Sequence, residues 1–193
     1  MIRFSFDKEK GIASLLYVTQ QLLRASCKAD FHKIFKIFYF ADKKHIAKYG
    51  RPIVGDYYVA MKNGPVPSHL YDILKAAKGN GEACVRDAYS ALFEVKGYYV
   101  RPLTDPDMDE MAESEIECLN ESIAENKKKN FQALTDESHD EAYELADRDN
   151  RISFRDIAKA AGASNTMIKY MSELADNRET LTDERQFGRV LPS

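Results

Sequence analysis

Reaction chemistry needs nucleophiles, general bases or metal ligands at workable spacing, and the four histidines are the first place to look. His32, His45, His69 and His139 form no H-E-x-x-H pair, and none lies beside a cysteine pair with zinc-ligand spacing. They read as surface or helix-packing imidazoles. Cys84 and Cys118 have no local His or Asn signature, and the chain has no G-x-S-x-G elbow. They read as buried or half-buried inert thiols. Gly79-Asn80-Gly81 has neither the Walker lysine nor the Rossmann spacing of a phosphate loop. From Asp105 to Glu125 every charge is acidic, and paired carboxylates can do acid–base work. A solvated face opposite an apolar stripe accounts for those charges more simply. With no nucleophile, metal set or phosphate loop, these residue types imply a protein that binds rather than catalyses.

One stretch has chemistry of another kind. FRDIAKAAGASNTMIKYM, residues 154–171, has the spacing of a DNA-reading helix-turn-helix. Ile157 and Ala158 would pack, Gly162 would turn, and Ile168 and Met171 would anchor the second helix. Asn165, Thr166 and Lys169 would face outward to read bases, with Arg155 and Lys159 near phosphates. The flanking Asp147, Asp149, Glu173, Asp176 and Glu179 would repel a phosphate backbone, so the electrostatic footprint is poor. A helix pair that only packs is the competing reading.

The elements that must position these residues come from a chain of 193 residues. At 44% hydrophobic, with 11 Tyr and 10 Phe, it can bury a core without disulfides. A net charge of -3 supplies no overall basic excess for nucleic acid. Three widely spaced cysteines argue for a reducing compartment. The N-terminus lacks the apolar region of a signal peptide, and no apolar run approaches the ~18 residues of a membrane span. The expected address is the cytoplasm, with no membrane partner.

Helical periodicity dominates. Ile12, Leu15, Leu16, Thr19, Leu22 and Leu23 share a face behind an Asp7 N-cap. The next helix runs from an Asp30 N-cap to Gly50, an αL terminator, and is apolar on most of its circumference. Such a helix belongs at the centre of a fold, and Phe35 and Phe38 should be nearly inaccessible. Asp56–Met61 reads as a strand closed by an Asn63-Gly64 turn, and Pro65 and Pro67 feed a helix with Leu70, Ile73, Leu74 and Ala77 on one face. Ala91–Val95 and Tyr98–Arg101 flank Lys96-Gly97 as a hairpin. The acidic helix should open at Thr104 with Asp107, and Met108, Met111, Ala112, Ile116, Leu119 and Ile123 form its stripe. Short helices open at Ser138, Ser153 and Ser164. The expectation is an α+β chain, predominantly helical: a bundle around a central buried helix with a small antiparallel hairpin. A single domain spans 1–176, including a C-terminal helix pair at 153–175, and a polar tail occupies 177–193.

The run from Phe31 to Leu74, HKIFKIFYFADKKHIAKYGRPIVGDYYVAMKNGPVPSHLYDIL within it, resembles the Panacea domain of SocA-like antitoxins. The matching residues include His32, Lys33, Tyr39, Asp42, Gly50, Pro52, Tyr58, Gly64, Pro65, Val66 and Tyr71. A weaker match continues through Leu134, Thr135, Ser138, His139 and Tyr143, and the whole covers about residues 10–150. The resemblance implies an antitoxin that neutralises a cognate toxin by direct contact, the toxin being encoded by a neighbouring gene. It implies no cofactor and leaves the toxin's chemistry open. Two alternatives remain: a transcriptional regulator using 154–171, and a phage or mobile-element protein of the same fold without antitoxin activity.

Turn chemistry accounts for most motif residues as structural: Gly64 for positive φ or close approach, Pro65 and Pro67 for a rigid turn, Tyr58 and Tyr71 packed beside it. Partner contact would then fall to charged faces. The candidates are Lys43, Lys44, Lys48 and Arg51 at the basic helix end, and Glu113 and Glu117 on the acidic helix.

Overall fold

The computed structural model describes residues 2–175; the expected polar tail at 177–193 lies outside the described residues. Among the described residues the chain is α+β and predominantly helical, with two separate two-stranded antiparallel sheets. At its centre runs α2 (Phe31–Tyr49). Asp30 accepts a hydrogen bond from the Lys33 N–H to cap its start, and Gly50, at φ 71°, ends it. Phe35 is 3% exposed and Phe38 0%, as an all-round apolar helix requires. α1 (Lys8–Arg24), capped by Asp7, packs against α2, although Leu23, expected on its apolar face, is exposed.

β1 (Tyr58–Met61) and β2 (Gly64–Pro67) form a hairpin in the register Ala60 opposite Pro65 and Tyr58 opposite Pro67. The expected lead-in to a helix is therefore a strand. Its prolines are tolerated because β2 is an edge strand. The far edge of β1 is taken by residues 149–152, where Ala60 N–H donates to the Asn150 carbonyl and Ile152 N–H to the Tyr58 carbonyl. α3 (Ser68–Ala77) has no capping side chain of its own. Asp56 reaches over instead and accepts from the backbone N–H groups of His69 and Leu70.

α4 (Ala83–Ser90) was not foreseen; it buries no residue and its N-cap position, Glu82, makes no capping bond. The second hairpin, β3 (Phe93–Lys96) and β4 (Tyr99–Pro102), forms as expected, its turn one residue later than read. It is tied to the entry of α2, where Val100 N–H donates to the Ala29 carbonyl and Phe31 N–H to the Tyr98 carbonyl.

The acidic helix α5 (Glu113–Asn126) starts nine residues after Thr104, not at it. The residue that opens it is Glu115, whose carboxylate accepts the Ala112 N–H at 2.9 Å. Its buried seam is partly polar: Glu115, Cys118, Leu119, Ser122, Ile123 and Asn126. α5 lies antiparallel to α2, with Ser122 Oγ donating to the Ile37 carbonyl at 2.8 Å. α6 (Phe131–Ser138), capped by Asn130, was missed. α7 (Glu141–Glu144) is capped by Asp140 where Ser138 was expected.

The C-terminal pair is α8 (Phe154–Ala160), capped by Ser153, and a helix at 165–175. Between them Gly162 turns at φ 76°, and Ser164 Oγ accepts from Met167 N–H. Ile157, Ala158, Ile168 and Met171 close a second core with Tyr39, Ile46 and Tyr58. The first core gathers α1, the N-terminal half of α2, α3, the β3–β4 hairpin and α5. α2 belongs to both.

Candidate functional site

The first two turns of α2 carry two rows at i and i+4 spacing: Phe31 with Phe35, and His32 with Lys36. Both rows border a groove of about 980 Å³. Opposite them stand the β1–β2 tip from Met61 to Gly64, Val66, Tyr71 of α3, Tyr98 and Tyr99 of the second hairpin, and Phe131 of α6. Rings of the wall meet edge to face, Phe35 with Tyr71 at 5.6 Å and Phe31 with Tyr98 at 5.8 Å. The rim holds large apolar groups in water: Tyr98 is 65% exposed, Tyr99 and Phe131 52% each.

Two ionisable groups sit in this lining. His32 stacks on Phe131 at 3.9 Å, and its Nε2 pairs with Thr135 Oγ1 at 3.0 Å. Burial, then the charge of Lys36, pushes its pKa down to about 4, so the ring is neutral. Lys36 is 1% exposed. Its Nζ donates to the Pro65 carbonyl at 2.9 Å, and it forms no ion pair among the described residues. Burial alone pushes its pKa down to about 7. Gly64 shapes the same corner: at φ 95°, it occupies a conformation that favours glycine, and a Cβ there would fall 2.9 Å from Lys36 Nζ and against Ser138 Oγ.

Of the motif residues, the structure brings His32, Gly64, Val66 and Tyr71 to the groove, and Pro65 supplies the carbonyl under Lys36. The others hold the fold. Lys33 Nζ donates to the Lys127 carbonyl beyond the end of α5. Tyr39 OH donates to Asp140, which also pairs with Lys43. Asp42, fully buried, accepts from Ile53 N–H at 2.7 Å and Tyr58 OH at 2.8 Å; burial pushes its pKa up to about 7. Gly50 has a second reason to be glycine, since a Cβ would meet the Tyr170 ring at 2.8 Å. Pro52 is buried beside Ile53.

The charged faces read as candidate partner surfaces face one another. Lys44 pairs with Glu121 and Glu125, and Lys48 with Glu117 and Glu121. Arg51 and Lys10 both hold the buried Glu115. Burial raises the Glu115 pKa, but the Ala112 N–H, Arg51 and Lys10 outweigh it and leave the carboxyl lowered. α2 and α5 run antiparallel, so their basic and acidic ends meet in one ladder. Glu113 stays exposed at its edge. Asn165, Thr166 and Lys169 are also exposed, with Lys169 at 3.8 Å from Glu173.

Cys84 is exposed, against the expectation of a buried or half-buried thiol; Cys27 is half-buried and Cys118 buried. Among the described residues, no group of three or more His, Cys, Asp or Glu side chains converges to hold a metal, and no helix is long and apolar enough to cross a membrane.

The groove residues missed from sequence are Lys36, Tyr98, Tyr99 and Phe131, with Phe31 and Phe35 read only as core. One signal was available: Lys33 and Lys36 are the only formal charges between Phe31 and Ala41, and a lysine inside an apolar run has to find a polar partner.

Comparison with curated proteins and with solved structures gives no match. Residues 34–144 match the family described as antitoxin SocA-like, Panacea domain. That segment covers more than half of the chain and holds most of the groove, from Phe35 and Lys36 through both hairpins to Phe131. The chain therefore belongs to the SocA-like antitoxin family with a Panacea domain.

Proposed function

We propose that the protein is an antitoxin that neutralises a cognate toxin by direct protein–protein contact in the bacterial cytoplasm, the toxin being encoded by a neighbouring gene. One observation carries this reading: the groove of about 980 Å³ on the family segment, rimmed by Tyr98, Tyr99 and Phe131. Aromatic side chains held in water around a concave surface are the anchors that protein interfaces use. The charge ladder between α2 and α5 is spent within the fold, so the groove is the better docking surface. The test is co-expression with the neighbour-encoded protein in a growth assay, followed by co-purification. Rescue of growth with a stable complex supports the reading. A neighbour that is harmless alone, or toxic yet neither rescued nor bound, overturns it.

A second reading, a DNA-binding regulator, draws on the exposure of Asn165, Thr166 and Lys169 after the Gly162 turn. The acidic flank and the Lys169–Glu173 pair weigh against it. Submicromolar binding to its own promoter at physiological salt, lost on Asn165→Ala with Lys169→Ala, would favour it.

A further inference from the structure

We propose that the groove receives a partner segment carrying one acidic side chain between apolar neighbours, with its carboxylate seated on the Lys36 ammonium. The partner's identity rests on the antitoxin reading; the chemistry of the seat does not. Lys36 is 1% exposed and borders the groove, yet its acceptor among the described residues is one neutral carbonyl, that of Pro65. An ammonium has three donors and a full charge, and burying it beside one neutral acceptor leaves both under-compensated. A carboxylate supplies what is missing. His32, the ionisable neighbour on the same row, is already engaged by Thr135 and does not compete as an anion.

The surroundings agree in sign and shape. Of the charges at the rim, Asp30 is occupied in capping α2, Arg148 lies 3.9 Å from Asp149 and Lys96 pairs with Glu94, which leaves Lys62 beside Lys36. The excess is positive, so an acidic ligand is steered in. Phe31, Phe35, Tyr71 and Tyr98 line the same groove as Lys36 and pack ring to ring as an aromatic wall, which suits apolar side chains flanking the acid. Such a segment would place one charge and two hydrophobic anchors, a pattern that selects among partners by position.

Two measurements test this on the full chain. The first titrates ¹⁵N-labelled protein with acetyl-Leu-Phe-Glu-Leu-Phe-amide and with its Gln counterpart. The expected result is amide shifts at Lys36, Gly64 and Tyr98, with the Gln peptide weaker by about thirtyfold or more. Equal binding of the two peptides, or shifts from neither, overturns the proposal. The second measures affinity for the neighbour-encoded protein with Lys36→Met and, as a rim variant exposed enough to leave folding intact, Tyr98→Ala. A loss of about thirtyfold or more with Lys36→Met supports the seat. Undiminished capture by Lys36→Met sinks the carboxylate seat while leaving the antitoxin reading standing. No capture by the unaltered protein sinks the antitoxin reading, and the peptide pair then decides the groove by itself.

Discussion

Replacing Lys36 with Met should make the protein more stable, and the gain should depend on pH in a way only this lysine explains. Burial pushes the Lys36 pKa from 10.5 to about 7. Each unit of that difference is about 1.4 kcal/mol between the protonation states, so the charged form costs the native fold about 5 kcal/mol. Met keeps most of the stem's volume and removes the charge. It also strips the Pro65 carbonyl of its donor, which returns roughly 1–3 kcal/mol. The net expectation is a gain of about 2–4 kcal/mol where the lysine is charged, near pH 6.

Between about pH 7 and 10.5 the unfolded chain holds a proton at Lys36 that the native chain does not. Native stability of the unaltered protein therefore climbs with pH across that window, and the advantage of Met shrinks. Urea unfolding of both proteins, followed by circular dichroism from about pH 6 to about pH 10, measures the gap, and groups common to both cancel in the difference. The reasoning fails if Lys36→Met is less stable near pH 6, or if the gap is flat. Either result would mean the ammonium is well solvated in the native state. The carboxylate seat would then lose its physical motive.

Phe38→Ala should cost about 3–5 kcal/mol in urea unfolding, as for other fully buried phenylalanines. Asp42→Ala should cost about 2–4 kcal/mol because it leaves the Ile53 N–H and Tyr58 OH without an acceptor, whereas Asp42→Asn, which keeps one carbonyl, should cost less than half as much; equal losses would refute the assignment. Gly64→Val should lower the melting temperature more than Gly97→Val, since both have positive φ but only Gly64 is crowded, by Lys36 and Ser138; equal effects would leave the turn alone as the cause. Reversing Lys44 and Lys48 to Glu should lower the melting temperature at low salt, and adding Glu117→Lys and Glu121→Lys should restore it, because the ladder is internal.

Much of the scaffold was legible because its signals are local. Asp7, Asp30 and Ser153 cap the helices they were expected to cap, and Gly50 and Gly162 turn where the spacing placed them. What escaped depends on distant partners. Asp56 caps a helix that begins twelve residues later, and Glu115 orders the start of α5 through Ala112, Arg51 and Lys10 rather than through the nearer Thr104 and Asp107. α4 buries nothing, so it leaves no stripe to find. The charges of α2 and α5 looked like two surfaces because a sequence does not say which helices lie antiparallel.

The same limit explains why the motif looked structural and the groove stayed hidden. Gly64 has the positive φ that a turn needs and Pro65 follows it in β2, yet a turn can be built from many residues. Two features distinguish this one: Gly64 admits Lys36 where a Cβ would not fit, and Pro65 turns its carbonyl to that ammonium. Lys36 sits four residues after His32 on the row beside Phe31 and Phe35, so helix geometry brings all four to one place. Hairpin, lysine and aromatic rows are then parts of one arrangement, in which the fold accepts a buried charge at the wall of an open groove. A sequence shaped for stability alone would put Met or Leu at position 36. That a lysine stands there, held by one neutral oxygen, is the strongest reason to look for its counter-charge on another molecule.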